Sequence, residues 1–240
     1  MNGRSPQLVK ASQVLTSVLT ARQGDPWSFE ALAGSLVELS EEQPCGAATF
    51  ASELLAAAQR RGEPAAWVTG QASLFFPPDF AGNGIDLASI AVVAGANERD
   101  ALWAADLLAR SGAFGFIVID LGSGARVADG AMARLVHLAQ RHRAVILFLT
   151  MKGRSAPSLS SLVAVHAVVR PPRAGRGAHA SRDRPGAEAE RLHASTARAA
   201  AARTAVADPE IGIEVTIVKD KRRAPGLTIR RSYGTPLGMR

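Results

Sequence analysis

The segment Ser40 to Phe50, SEEQPCGAATF, lies where a phosphate-binding loop would lie. The apolar run Leu36 to Leu39 precedes it, and a helix-like run that includes Ala51 follows it. In a phosphate-binding loop, backbone N–H groups at a helix start wrap the phosphates, a lysine reaches the outer phosphates, and a Ser or Thr holds magnesium. The chemistry that this position would support is therefore nucleotide binding and hydrolysis.

The side chains of this segment do not fit that chemistry. Glu41 takes the place of the first glycine, Gly46 that of the second, Ala47 that of the lysine and Ala48 that of the Ser or Thr. The carboxylates of Glu41 and Glu42 would also repel a phosphate. The sequence therefore predicts the scaffold of a nucleotide site without its chemistry, with no cofactor and no ATP hydrolysis.

Cysteine and histidine offer no other reactive site. Cys45 is the single cysteine and has no partner for an internal disulfide or a metal site, so we predict a small buried residue in a reducing compartment. The histidines lack metal-ligand spacing, and the tryptophans are expected to be core or helix-packing residues. These residues are His137, His142, His166, His179 and His193, and Trp27, Trp67 and Trp103.

The sequence predicts neither secretion nor membrane insertion. It has no charged N-terminal segment followed by an apolar signal core, and no apolar run approaches the roughly 18 residues of a membrane span. With 240 residues, of which 47% are hydrophobic, the chain can bury one substantial core. We therefore expect a cytoplasmic globular protein.

Hydrophobic periodicity predicts an α/β fold, in which a mostly parallel sheet is flanked by helices and followed by a C-terminal β-hairpin. Strands that are apolar throughout are typical of parallel sheets buried on both faces. The expected strands are 36–39, 65–69, 90–94, 116–120 and 145–149. The expected helices are 47–61, one opened by Asn97 that runs to Arg110, and one capped by Asp129 that runs to His142. Alternating apolar residues from Ile211 to Ile229, interrupted by Pro225-Gly226, predict the hairpin.

Composition divides the chain into four parts. Residues 1–27 are an amphipathic helix and linker, and the apolar stripe of the helix packs on its own domain or docks on a partner: Leu8, Ala11, Leu15 and Val18. Residues 28–170 form the core with the degenerate phosphate loop. Residues 171–210 are rich in Ala, Arg, Gly and Pro and are predicted to be disordered, and residues 211–240 form the basic hairpin and tail.

Positive charge is concentrated in the C-terminal part. Residues 1–169 carry 13 Lys and Arg against 14 Asp and Glu, whereas residues 170–240 carry 15 against 7. A basic block beside a neutral domain indicates contact with nucleic acid or with an acidic partner, although a solvated Arg-rich tail is the alternative. The candidate DNA contacts are non-specific and salt-sensitive, and they involve Arg222, Arg223, Arg230 and Arg231.

Four segments, in this order and spacing, resemble the core of the bacterial recombinase RecA. They are LVELSEEQPCGAATFASELLAAAQRRGEPAAWV, ADLLARSGAFGFIVIDLG, AVILFLTMK and VTIVKDKRRAPG. The sequence is most similar to the ImuA family, RecA-like accessory proteins of bacterial mutagenic-repair operons. The similarity covers about residues 28–170 and 211–235. It implies a RecA-like core and a nucleoid-associated protein.

The resemblance also assigns positions to the RecA ATPase residues. The catalytic glutamate falls at Gln71, the magnesium-supporting aspartate at Asp120 and the phosphate-sensing glutamine near Met151. Only Asp120 keeps the residue type of the family, and a strand-end aspartate also serves as a helix cap or loop anchor. The resemblance therefore implies a non-catalytic member.

Lys219 and Lys221 match the paired lysines that, in RecA-like filaments, reach the ATP site of the neighbouring protomer. A chain that keeps these lysines but lacks its own nucleotide site is expected to dock on RecA without extending the filament. The implied function is an adaptor in damage-induced (SOS) translesion synthesis. It would bind RecA, an error-prone polymerase or an accessory subunit of that polymerase, and inhibit strand exchange.

Two other functions remain open at the level of sequence. One is a SulA-like inhibitor of the cell-division GTPase, which also has a RecA-like fold without a phosphate loop; the basic C-terminal part argues against it. The other is an ATPase in which Lys152 replaces the missing lysine, and its place after a strand argues against that role.

Overall fold

The computed structural model describes residues 25–70, 75–153, 155–171 and 210–234. The predicted N-terminal helix with Leu8, Ala11, Leu15 and Val18, Gln71, and nearly all of the predicted disordered segment lie outside these residues. In the described part of the chain, no helix is long and apolar enough to cross a membrane.

The described residues form an α/β structure. The strands are β1 (Ser35–Glu41), β2 (Ala65–Thr69), β3 (Ile90–Ala94), β4 (Phe116–Ser123), β5 (Val145–Met151), β6 (Val165–Arg170), β7 (Glu210–Asp220) and β8 (Thr228–Gly234). The helices are α1 (Phe29–Leu32), α2 (Ala47–Arg60), α3 (Pro77–Gly82), α4 (Glu98–Ser111) and α5 (Asp129–His142), and a 3₁₀ turn spans Leu87–Ser89.

The strands form one sheet in the order β3-β2-β4-β5-β1-β6-β7-β8. The pairs from β3 to β6 are parallel, and β7 pairs antiparallel with β6 and with β8. This confirms the predicted mostly parallel sheet with a C-terminal hairpin. Strand β6 was not predicted, and it is the strand that joins the hairpin to the parallel part.

The core has two layers, one on each face of the sheet. Helices α1, α2 and α3 pack on the face that includes Val37, Leu39 and Trp67, whereas α4 and α5 pack on the face that includes Leu36 and Phe148. Because side chains alternate along a strand, neighbouring residues of β1 contribute to opposite layers. Strand β1 lies between β5 and β6, so any polar residue on it is buried.

Local signals fix the ends of the two helices on the second face. Asn97 accepts a hydrogen bond from the Asp100 N–H at 3.0 Å, as predicted, and Gly112 ends α4 with φ of 66°. The prediction that Asp129 caps α5 was wrong. Ala128 precedes the helix without a side-chain cap, and Asp129 is the first helical residue, where its charge favours the helix dipole.

The expectation that every apolar strand is buried on both faces was wrong for β3. This strand is the first in the sheet order, and Val92 on it is 49% exposed. Of the tryptophans predicted to pack in the core or on helices, Trp103 on α4 is 66% exposed and lies outside the core. Trp27 and Trp67 are buried as expected.

Phe50 is one of the buried residues that hold helix α2 to the core. Its ring is fully buried and stacks on Trp27 with ring centroids 4.9 Å apart. We expect Phe50→Ala to lower the free energy of unfolding by about 4 kcal/mol, since it removes buried surface and leaves a cavity. Leu107→Ala, at a half-exposed position of α4, should cost less than about 1 kcal/mol. Urea unfolding measures both, and equal losses would contradict the packing described.

Candidate functional site

The predicted phosphate loop joins β1 to α2 at the carboxyl edge of the parallel strands, where α/β proteins usually bind ligands. Gly46 precedes the helix with φ of 123°, a conformation that favours glycine. A Cβ atom at Gly46 would lie 2.3 Å from Cδ1 of Ile213 on β7. The loop therefore adopts the expected strand–turn–helix form, and the hairpin packs directly against it.

The loop binds the carboxylate of Glu41. One carboxylate oxygen, Oε2, accepts hydrogen bonds from the N–H groups of Cys45 at 2.9 Å, Gly46 at 3.1 Å and Ala47 at 3.0 Å. The Glu41 residue is only 2% exposed. These N–H groups lie at a helix N-terminus, where a negative charge is stabilised. The sequence indicated that Glu41 would repel a phosphate, and the geometry adds that its carboxylate already occupies the N–H groups.

The same contact makes Cys45 unreactive. Burial, together with the nearby Glu41 carboxylate, raises the pKa of the Cys45 thiol to about 12. The nucleophilic form of cysteine is the thiolate, so Cys45 is protonated at neutral pH and lacks the reactivity of a catalytic cysteine.

The remaining candidate ATPase positions only partly come together. Met151 ends β5 and lies opposite Glu41 in the β1–β5 register. Asp120 is buried in β4, just before the register shift at Gly122, and lies opposite Leu149. Ala48 lies on the first turn of α2, and Gln71 is outside the described residues. Among the described residues, no group of three or more His, Cys, Asp and Glu side chains could hold a metal ion.

A second carboxylate of β1, Glu38, is fully buried and was not singled out in the sequence. It accepts hydrogen bonds from Thr150 Oγ1 at 3.1 Å, Ser158 Oγ at 2.8 Å and the Leu159 N–H at 2.9 Å, and it forms an ion pair with Lys152. The sequence signal was a glutamate inside the apolar run LVEL together with a lysine directly after an apolar strand.

The pKa values of this cluster follow from burial and from its own charges. Burial raises the pKa of Glu38, but His166 and the hydrogen bonds from Lys152, Leu159 and Ser158 outweigh it and hold that pKa below its usual value. Burial lowers the pKa of His166, assisted by the charges of Lys152 and Lys219 and opposed by Glu38. Glu38 is therefore ionised and His166 neutral at pH 7.

Ser40 and His166 also form a buried pair, with Ser40 Oγ 2.8 Å from His166 Nε2. A serine beside a histidine is the first part of a nucleophilic catalytic site. Both residues are at most 2% exposed, on strands in the middle of the sheet. No substrate reaches this serine, so the pair stabilises the sheet and is not a hydrolase site.

The predicted basic residues are held mostly by their own chain. Lys219 Nζ donates to the carbonyl groups of Ser160 at 3.1 Å and Ser161 at 3.3 Å. Arg222 donates to the Ala31 carbonyl at 2.7 Å and to Ser35 Oγ at 2.9 Å.

Two further arginines, on β8, pair with acidic residues. Arg230 pairs with Glu214, and Arg231 with Glu53 and Asp25. Lys221 is exposed and Arg223 half-buried, both at the turn between β7 and β8. The candidate cations thus share one hairpin, but they do not form a uniform basic face.

Lys152 is not positioned to replace the missing lysine of the phosphate loop. Its Nζ pairs with Glu38 and donates to the Pro157 carbonyl at 2.6 Å. Glu38 and Glu41 are three residues apart on β1, so their side chains lie on opposite faces of the sheet. Lys152 is therefore engaged on the face opposite the loop.

Neither the models of known protein families nor the curated protein sequences give a match to this chain.

The role of Glu41 can be tested through stability. Glu41→Ala leaves three N–H groups without their acceptor and should lower the free energy of unfolding by about 3 kcal/mol. Glu41→Gln keeps an acceptor oxygen and should cost about 1 kcal/mol. The control is Glu42→Ala, an exposed neighbour of equal charge, which should cost less than about 0.5 kcal/mol. Urea unfolding distinguishes them, and an alanine variant as stable as the wild type would contradict the role.

His166 should make the protein less stable in mild acid. Its folded-state pKa lies below the unfolded value of about 6.5, so the unfolded chain binds more protons as the pH falls. We expect the contribution of His166 to decrease by up to about 1.4 kcal/mol between pH 7.5 and 5.5. The Glu38 contribution is lost only below pH 4.5, so it does not interfere. His166→Gln, compared by urea unfolding, should flatten the slope, and an unchanged slope would contradict the assignment.

Proposed function

We propose that this protein is a non-catalytic, RecA-like adaptor of damage-induced mutagenesis that binds RecA and inhibits its filament activity. One observation carries the proposal: the N–H groups that would hold a phosphate hold the carboxylate of Glu41 instead. Ala47 and Ala48 supply neither the lysine nor the hydroxyl of a nucleotide site. A chain built in this way has the shape of a nucleotide-binding subunit and no nucleotide chemistry.

The arrangement of the RecA-resembling segments supports the proposal. They contribute β1, the loop, α2 and most of β2, then the end of α4 and β4, then β5, and finally β7. Strands β4, β5 and β1 are neighbours at the centre of one sheet, and β7 continues the same sheet beyond β6. Segments that are far apart in sequence therefore belong to one continuous layer, which is what a shared fold requires.

The basic hairpin supplies the docking surface in this proposal. Lys219 is engaged with the carbonyl groups of Ser160 and Ser161, whereas Lys221 is exposed at the adjoining turn. The intermolecular role is therefore assigned to Lys221, since Arg222 is also engaged within the chain, with Ala31 and Ser35. A polymerase or its accessory subunit is the second partner, and DNA contact is limited to salt-sensitive binding of phosphates.

Inhibition follows from the missing chemistry. A RecA filament depends on ATP bound at successive subunits, and a subunit whose loop is filled by Glu41 cannot provide that site. Its insertion at one end would cap the filament or weaken it. The expected sign is therefore loss of strand exchange at near-stoichiometric amounts of the protein.

The test is RecA-dependent strand exchange and ATP hydrolysis on single-stranded DNA, with increasing amounts of this protein. We expect the protein to inhibit both activities and not to hydrolyse ATP by itself. Because Lys221→Ala removes one charged contact, this variant should need about tenfold more protein for the same inhibition. Arg99→Ala is the matched control, because it removes an exposed positive charge on α4.

The outcomes separate the alternatives. Equal inhibition of RecA by Lys221→Ala and Arg99→Ala would show that the interface does not include Lys221 of the hairpin. Hydrolysis of ATP by this protein alone, abolished by Lys152→Met, would restore the ATPase hypothesis. No effect on RecA at any ratio would overturn the adaptor function, and the purified cell-division GTPase would be the next target to assay.

A further inference from the structure

A cluster of titratable side chains, buried or half-buried, lies on the face of the sheet opposite the filled loop, and the proposed function makes no use of it. Its members are Glu38 on β1, Lys152 after β5, His166 on β6 and Lys219 on β7. His166 lies opposite Glu38 in the β1–β6 register, and Lys219 lies opposite His166 in the β6–β7 register. The three side chains therefore occupy one row across neighbouring strands.

The cluster contacts the segment that connects β5 to β6, of which residues 155–164 are described and are called here the 155–164 loop. Glu38 accepts from Ser158 Oγ and from the Leu159 N–H. Lys152 donates to the Pro157 carbonyl at 2.6 Å, and Lys219 donates to the carbonyl groups of Ser160 and Ser161. Five consecutive residues of the loop, 157–161, are thus bound by three charged side chains.

The end of the loop is bound to the hairpin directly. The Lys221 N–H donates to the Ala164 carbonyl at 3.0 Å, and the Ala164 N–H donates to the Leu36 carbonyl of β1 at 2.8 Å. Lys221 is also the exposed cation of the hairpin turn. The loop and the hairpin turn therefore meet at Ala164.

We propose that Glu38, Lys152 and Lys219 form a positioning cluster that ties the 155–164 loop to the base of the C-terminal hairpin, so that loop and Lys221 present one preformed surface. The geometry of the Glu38 carboxylate supports this. Oε1 faces two donors, Thr150 Oγ1 and Lys152 Nζ, and Oε2 faces two others, Ser158 Oγ and the Leu159 N–H. Only a carboxylate can accept on both sides.

An amide in place of Glu38 fails in either orientation. A glutamine has one acceptor oxygen and one NH₂ donor, so its NH₂ must face a group that can only donate, either the Leu159 N–H or the Lys152 ammonium. With the oxygen toward Thr150, the NH₂ faces the Ser158 hydroxyl, which can turn to accept, and the Leu159 N–H, which cannot and so loses its acceptor. With the oxygen toward Ser158, the NH₂ faces the Lys152 ammonium. A nearly isosteric substitution thus releases the loop without creating a cavity.

The experiment is hydrogen–deuterium exchange, followed by mass spectrometry, on the full chain. We expect Glu38→Gln and Lys219→Met to accelerate exchange by about tenfold or more in peptides that cover 155–164 and the hairpin turn, which corresponds to the loss of about one charge-assisted hydrogen bond. Peptides from α2 should be unchanged. Lys219→Arg, which keeps a cationic donor, should restore slow exchange in the loop.

Arg230→Met is the matched control, because Arg230 lies on the same hairpin and pairs with Glu214 at the surface. It should leave the 155–164 loop unchanged. Wild-type exchange of the loop in Lys219→Met would overturn the proposal, and so would uniform acceleration of all peptides in that variant, since the cluster would then support the whole fold. Lys219→Met also provides the test if Glu38→Gln does not fold.

The second part of the inference, that this surface meets a partner, rests on the proposed function. RecA inhibition by Lys219→Met tests it separately. If the variant exchanges faster in the 155–164 loop and also inhibits RecA less, a preformed partner surface is supported. Faster exchange with full inhibition of RecA contradicts it. If the wild-type protein does not inhibit RecA, the proposed function fails, while the exchange data still decide whether the cluster positions the loop.

Discussion

Two carboxylates on one buried central strand must be satisfied by hydrogen bonds, and much of the carboxyl edge of the sheet is built around this constraint. An unpaired charge inside a protein costs several kcal/mol. Glu41 points to the α2 face and is satisfied by the backbone of the loop that follows it. Glu38 points to the other face and is satisfied by β5 and the 155–164 loop. Lys152 contacts both glutamates, because its side chain pairs with Glu38 and its backbone N–H donates to the Glu41 carbonyl at 2.8 Å.

These solutions have opposite consequences for function. At Glu41 the protein fills an anion-binding backbone with its own carboxylate, so that these N–H groups are already occupied. At Glu38 the charge organises a second loop and, through Lys219, the hairpin. In the proposed function the first contact explains what the protein no longer does, and the second explains how it retains an ordered surface for a partner.

The sequence was sufficient for features that depend on neighbouring residues. The Asn97 cap, the apolar run 116–120 and the hairpin around Pro225-Gly226 each follow from local periodicity or capping. The burial of β3 and the partners of Glu38 could not be predicted, because both depend on strand order. The donors to Glu38 are between 112 and 121 residues away in sequence. The alternation of side chains along a strand predicts that Glu38 and Glu41 face opposite sides of the sheet. It does not predict that the N–H groups of the loop donate to the Glu41 carboxylate.

Charge counted along the sequence is an incomplete guide to the surface of this protein. The last 71 residues carry 15 positive and 7 negative residues, which indicates a strongly basic arm. In the hairpin, however, Arg231 bridges to Asp25 and Glu53, and Arg222 binds the carbonyl end of α1. These contacts bind the hairpin to the N-terminal part of the core, so both arginines already have partners within the chain. Binding of DNA through Arg222 or Arg231 would therefore have to compete with these contacts.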